Sequence, residues 1–282
     1  MKVKQSNLSV SFILGLLAAV AGILTLSFVL ESDISKEVAI FTTLTVWGVI
    51  AYLSIKLDFW KTLGVWLLVF TFVQGFIGDV PRLVILNETI RNLYFHVTMW
   101  FAMLFLLLAS VVYSILYLVK EDLKWDVFAQ GASAAGTVMG VLGLITGMIW
   151  AKYTWGSYWH SDPKQTYTAI GLLLYLAYFI LRASFEDETT RARIASVLNI
   201  FAFPSLIALL YILPRMMTST HPGQEGNPAF SDYDLNSNMR LVFYPAVIGW
   251  TLLATWIASI KIRIRLLEIK FINTALRKDK EI

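Results

Sequence analysis

Cysteine is absent from all 282 residues. Disulfides, thiolate metal sites and covalent thiol chemistry are thereby excluded. Charge is scarce, with 15% Asp, Glu, Lys and Arg against 57% apolar residues, far from the composition of a soluble domain and close to that of a membrane protein. No G-x-x-x-x-G-K sequence is present, so any ATP-driven step must be supplied by a partner. The net charge of +4 gives no nucleic-acid face, because the surplus Lys and Arg sit in short segments between apolar runs. No nucleic-acid partner is expected.

What is present is a series of long apolar runs. Eight stretches lack Asp, Glu, Lys and Arg and are long enough, or nearly so, for a bilayer that needs about 20 residues per helix. They cover roughly residues 10–30, 38–55, 62–78, 93–119, 127–150, 166–181, 194–213 and 241–260. The expected fold class is therefore all-α, a polytopic membrane helix bundle of about eight transmembrane helices. No small-x-small cleavage site follows the first stretch, which reads as a helix and not as a leader.

Sixteen Lys and Arg fall on one side of this topology and seven on the other, which predicts that both termini are cytoplasmic. Residues 31–37, 79–92, 151–165 and 214–240 then face outward. The basic tail, 261–282, is expected to form a cytoplasmic amphipathic helix near anionic membrane lipid.

Within the fifth stretch, Gly136, Gly140, Gly143 and Gly147 recur at separations of three and four, a pattern that lets a neighbouring helix approach closely. Room for a ligand tail is the other use of such a gap. Pro204 is expected to kink the seventh.

The three histidines, His96, His160 and His221, all fall on the outer side. A helix starting by His96 would carry Trp100 one turn below it on the same face. Trp150, Trp155 and Trp159 lie within ten residues, with Tyr153 and Tyr158 among them, and Gly156 and Pro163 shape the segment as a loop. Interfacial belts collect Trp and Tyr. An aromatic shelf beside histidines also suits a large planar ligand with a metal at its centre. A secondary transporter is disfavoured, since such proteins keep ionisable groups at membrane depth and these stretches have none. A membrane-embedded enzyme is disfavoured by the scatter of Asp162, Glu225, Asp232 and Asp234 in the outer loops.

The segment "WGSYWHSDPKQT" (155–166) resembles W-G-x-x-W-x-W-D, the WWD motif of the haem-handling proteins of cytochrome c maturation. "RNLYFHV" (91–97) resembles the R-x-x-Y-x-H-V of their CcmC branch. The likeness runs from about residue 61 to 260, a six-helix CcmC-like core, with two extra helices in residues 1–60 and the tail after it. "DPKQT" is similar to the CcsA-type cytochrome c synthetase, but that branch carries further histidines deep in its helices, and the placement of these three favours CcmC.

The resemblance implies that His96 and His221 are the axial ligands of a haem (heme b) iron carried as cargo at the periplasmic face of the inner membrane. Trp155, Gly156, Trp159 and Asp162 then form the shelf, with Tyr158 beside them, and Arg91 and Lys164 meet the propionates. Ser161 stands where the motif has its third tryptophan, and His160 beside it is a candidate ligand in place of His221. The implied role is haem delivery without bond-making by this chain. The implied partners are a CcmE-type haem chaperone, the transporter subunits CcmA and CcmB, and a CcmD-like small membrane subunit.

Overall fold

A computed structural model describes residues 58–83, 85–221 and 235–278, the side chains at 273 and 276–278 excepted. The expected spans at 10–30 and 38–55 lie outside the described residues, as do positions 222–234 of the last outer loop. The described residues form α1 (Phe59–Ile77), a 3-10 segment (Asn87–Tyr94), α2 (His96–Lys120), α3 (Leu123–Trp155), α4 (Pro163–Ala183), α5 (Glu188–Ile207) and α6 (Ser237–Lys278). Past Ile207 the fifth helix runs on through a π turn, Ala208–Ile212, and a 3-10 turn, Leu213–Met216. The six main helices are long and apolar enough to cross a membrane. The chain is an all-α polytopic bundle.

The reversals between helices follow from local chemistry. Between α2 and α3 the chain turns at Glu121, in the left-handed region at φ 52°, and Asp122 caps α3 by accepting from the Lys124 amide. Asp187 caps α5 in the same way through the Thr190 amide. Between α3 and α4, Gly156 ends the first helix at φ 87°, and Asp162 with Pro163 starts the second. Helix α2 packs against α3, α5 and α6, while α1 lies on α6. Their shared core includes Met103, Leu107, Met139, Tyr175, Leu206 and Ala254. Phe105, Leu173, Ile180, Phe201 and Leu241 remain exposed on the outer surface, as lipid-facing side chains must. A second cluster, with Ile90, Tyr94, Met239 and Phe243, fastens the 3-10 segment to the start of α6.

The glycine row of α3 is a packing device. A Cβ at Gly140 would lie 2.6 Å from Leu172 Cδ2 and from Met103 Sδ, and one at Gly136 would lie 3.0 Å from two atoms of Leu107. Pro204 lies inside α5, which keeps its α form to Ile207 and passes into a π turn one residue later.

One sequence expectation needs adjusting. Helices α3 and α4 each extend about a turn beyond their apolar stretches, which buries Asp126 and Arg182 against one another instead of leaving Arg182 solvated. The basic tail is helical through Lys278, as an unbroken continuation of α6 from Ser237.

Candidate functional site

The site lies at the end of the bundle where α2 begins, α3 ends and α4 begins. His96 is the first residue of α2, in a mouth that α3 leaves open by lacking side chains at two positions. A Cβ at Gly147 would come within 2.5 Å of His96 Cε1, and one at Gly143 within 2.9 Å of Trp100 Cε2. The His96 Nδ1 lies 2.8 Å from the Gly143 carbonyl oxygen. A carbonyl only accepts, so Nδ1 carries the proton and Nε2 holds the lone pair. In agreement, the Trp100 indole N–H donates to Nε2 at 3.3 Å, and the two rings meet edge to face. Trp100 is thus on the expected face of α2.

His221 comes from the far side, after the π and 3-10 turns that end the fifth helix. Its Nδ1 is 2.9 Å from Asp162 Oδ1. The same carboxylate accepts from the Ser219 hydroxyl at 2.8 and 2.9 Å and from the Thr220 amide at 2.8 Å. It also caps α4 through the Lys164 amide at 2.8 Å. Asp162 is therefore a clamp, 4% exposed, joining the start of α4 to the 219–221 segment. Burial opposes its charge, but the hydrogen bonds from His221, Ser219 and Thr220 outweigh burial and hold the carboxyl well below the usual carboxylate range. With Nδ1–H committed to the carboxylate, His221 too keeps its lone pair on Nε2.

Both imidazoles line one cavity of about 370 Å³, together with Trp150, Lys164, Thr168, Leu210 and Tyr211. Most of the wall is apolar, including Leu93, Val97, Phe101 and Leu144. Among the described residues there is no group of three or more His, Asp or Glu suited to hold a bare metal ion. A pair of imidazoles on an apolar cavity instead matches a metal that brings its remaining ligands with it, as a porphyrin iron does.

The expected shelf is rearranged. Helix α3 continues to Trp155, so Trp150 and Trp155 project from a helix, and only 156–162 form the loop. Trp150 and Trp155 meet edge to face at 4.8 Å, and Trp155 packs edge-on against His221, also at 4.8 Å. Their aromatic surface braces a histidine, and of the two only Trp150 lines the cavity. Gly156 serves as the helix cap. Tyr158 and Trp159 stand outside the cavity wall, 55% and 43% exposed. His160 is exposed, stacks on Trp155 with ring centroids 5.8 Å apart, and does not line the cavity. Ser161 adopts φ 48° and is exposed, turning the chain toward Asp162.

Lys164 lines the cavity. Arg91 does not. Its Nε donates to Glu88 at 2.7 Å, and its Nη1 donates to the carbonyls of Gly75, at 3.1 Å, and Gly78. The guanidinium thus ties the 3-10 segment to the end of α1. The sequence placed Trp150 in the aromatic cluster, but Ser219 and Thr220 were overlooked as parts of the site. Nothing local in the sequence marks which distant segment the Asp162 carboxylate also holds.

The geometry can be set beside known proteins. The sequence pattern of the family described as "Heme exporter protein C", CcmC, matches residues 49–277. The chain is 31% identical over 124 residues to "Heme exporter protein C" of Paracoccus denitrificans (strain Pd 1222), covering 44% of this chain and 51% of that protein. The corresponding protein of Rhodobacter capsulatus is 30% identical over 129 residues, 44% of this chain and 53% of its own length. "Cytochrome c biogenesis protein CcsA" of Synechococcus sp. (strain CC9902) is 38% identical over 94 residues, 33% of this chain and 30% of that protein. The alignments thus span about half the length of the first two relatives. With the family pattern extending over most of its length, the chain belongs to the heme exporter protein C (CcmC) family.

Proposed function

We propose that this chain binds haem as cargo between His96 and His221 and presents it for transfer during cytochrome c biogenesis. The observation that carries the reading is the convergence of two histidines from distant segments on one apolar cavity, each with Nδ1–H committed to an acceptor and Nε2 left as the coordinating atom. The names of the relatives, heme exporter protein C and cytochrome c biogenesis protein CcsA, point the same way. In this reading Lys164 is the cation that meets a propionate, Trp150 contributes an aromatic wall, and Trp155 and Asp162 fix the His221 ring. Arg91 acts on the backbone around the site. His96 exchanges the Trp100 N–H for iron when haem binds.

The site is assigned to the periplasmic face of the inner membrane, with both termini cytoplasmic, on the Lys and Arg asymmetry. Haem would pass to a CcmE-type chaperone, with CcmA and CcmB supplying ATP-driven work and a CcmD-like subunit as a further neighbour. The division into residues 1–60, a core at 61–260 and a tail at 261–282 belongs to the same proposal. A visible spectrum of the purified chain tests the reading: a Soret band with bis-histidine features supports it, and failure to bind added haem sinks it.

A CcsA-type synthetase is the second reading, favoured by the similarity to CcsA proteins. It predicts that the chain attaches haem covalently to a C-x-x-C-H substrate without other proteins, whereas the delivery reading predicts none.

A further inference from the structure

At the opposite end of the bundle, where α3 and α5 begin and α4 ends, a second cavity of about 420 Å³ opens beside the outer part of α6. Arg182, Arg191, Lys261 and Arg265 line it, and Glu268 is the one acidic residue in its wall. Their neighbours explain most of this charge. Arg182 pairs with Asp126, Arg191 with Glu188 at 3.0 Å, and Arg265 with both Glu188 and Glu268 at 3.0 and 3.1 Å. Four cations are thus met by three carboxylates, and Lys261 has no ion pair among the described residues.

Arg182 forms the buried floor beneath these more exposed cations. Arg182 is only 5% exposed, with Tyr178 packed in the same buried layer. Its two terminal nitrogens are taken by Asp126. Apart from Gln130, the remaining wall, Phe179, Phe185 and Ile264 among it, is apolar. One phosphodiester would balance the surplus charge and supply acceptor oxygens, and the chains attached to it would continue over the apolar wall.

We propose that this cavity is a site for one anionic phospholipid, its phosphodiester held by Lys261 and Arg265 above the buried Arg182. A basic pocket between membrane helices near their ends is the arrangement that recognises anionic headgroups. The assignment is independent of haem and of which side of the membrane this end faces.

The test uses the full-length chain in neutral detergent micelles doped with equal amounts of phosphatidylglycerol and phosphatidylcholine, with retained lipid counted by native mass spectrometry. One phosphatidylglycerol per chain should survive activation that strips phosphatidylcholine, and millimolar inorganic phosphate should not displace it. Lys261→Gln and Arg265→Gln should each lower retained phosphatidylglycerol roughly fivefold, as expected for one cation near a headgroup. Equal retention of the two lipids by the wild type overturns the proposal and requires no variant. Unchanged retention in the double variant overturns it as well, and displacement by inorganic phosphate would reassign the cavity to a soluble anion.

Discussion

Asp162 and His221, 59 residues apart, meet through a 2.9 Å contact between Oδ1 and Nδ1, and that contact commits one nitrogen of a cavity-lining ring and leaves the lone pair on Nε2. The aspartate of the tryptophan-rich motif therefore acts on a ligand candidate carried by another segment, as carboxylates behind metal-binding imidazoles do. Asp162→Asn preserves shape but removes the charge, and an amide NH₂ turned toward Nδ1 would favour the other tautomer. Haem affinity measured by titration should fall on the order of 10-fold or more. The acid dependence has a definite sign. The folded-state carboxyl is depressed below its ordinary value, so its stabilising contribution is complete above the unfolded pKa of about 4 and is lost as pH falls from there toward the folded value. Thermal unfolding in detergent should show no loss from this clamp between neutral pH and about 5. Below that the wild type should lose more than Asp162→Asn does; parallel curves would remove the clamp as a source of stability.

Gly147 controls His96 from the facing helix. A Cβ there would sit 2.5 Å from the ring, so Gly147→Ala must displace either the imidazole or α3. Overpacking of this kind costs about 1–3 kcal/mol. The Soret and visible bands should change in Gly147→Ala although no ligand has been altered. Gly136→Ala, which meets Leu107 and Leu106, should lower stability and leave the spectrum of the bound fraction as it was. Identical spectra for both variants would show that His96 tolerates the shift.

The Trp100 indole N–H donates to His96 Nε2 at 3.3 Å, the lone pair that iron would need under the proposed function. Trp100→Phe keeps an aromatic ring beside His96 and deletes the donor. Removing a bond worth about 1 kcal/mol to the empty state should tighten haem binding severalfold, provided that the indole has no second role with bound haem. Equal or weaker binding in equilibrium titration would give Trp100 such a role.

Much of the architecture was legible because a membrane leaves few choices for the backbone, and charge-free stretches mark helices wherever they occur. All six described helices were found this way. Their ends were less legible, since a charged residue can be buried when its partner is a neighbouring helix, as Asp126 and Arg182 are. The His96–Trp100 pair could be read locally from spacing and type, whereas the helix start at Asp162–Pro163 was read as loop. The bracing of His221 by Trp155 and its bond to Asp162 depend on how the 3-10 turn at Leu213–Met216 approaches the end of α3. No periodicity encodes that approach. Arg91 shows the converse limit: a cation beside a motif looked ready for an anionic ligand, while the backbone carbonyls at the end of α1 already hold it.

The buried pair of Asp126 and Arg182 carries the opposite end of the bundle. Replacing one partner leaves an uncompensated charge, which costs about 3–5 kcal/mol where water is excluded. Asp126→Asn should therefore lower thermal stability strongly. The double change Asp126→Asn with Arg182→Gln should recover a large part of the loss, because no net charge then remains buried. Without recovery, the pair would matter through its hydrogen-bond geometry and not through its charge.

The three histidines provide the sharpest discrimination, since a six-coordinate haem iron takes two protein ligands and all three lie at the same end of the molecule. His96 and His221 line the cavity, each with its Nδ1 proton fixed by an acceptor. His160 is exposed and stacked on the outer side of Trp155, with its Nδ1 3.3 Å from the Ser157 hydroxyl. To ligate, it would have to abandon that stack and pass Trp155, which packs against His221. His96→Ala and His221→Ala should each convert a bis-histidine spectrum to another ligation state, and the double variant should purify without stoichiometric haem. His160→Ala should leave band positions unchanged and at most weaken retention slightly, through loss of a stacking contact worth about 1 kcal/mol. Added imidazole should restore a bis-imidazole spectrum in His96→Ala or His221→Ala, because truncation leaves space within the same cavity for the missing ring. A shifted spectrum in His160→Ala together with an unchanged one in His221→Ala would mean that the loop rearranges on binding and that the exposed histidine is the second ligand.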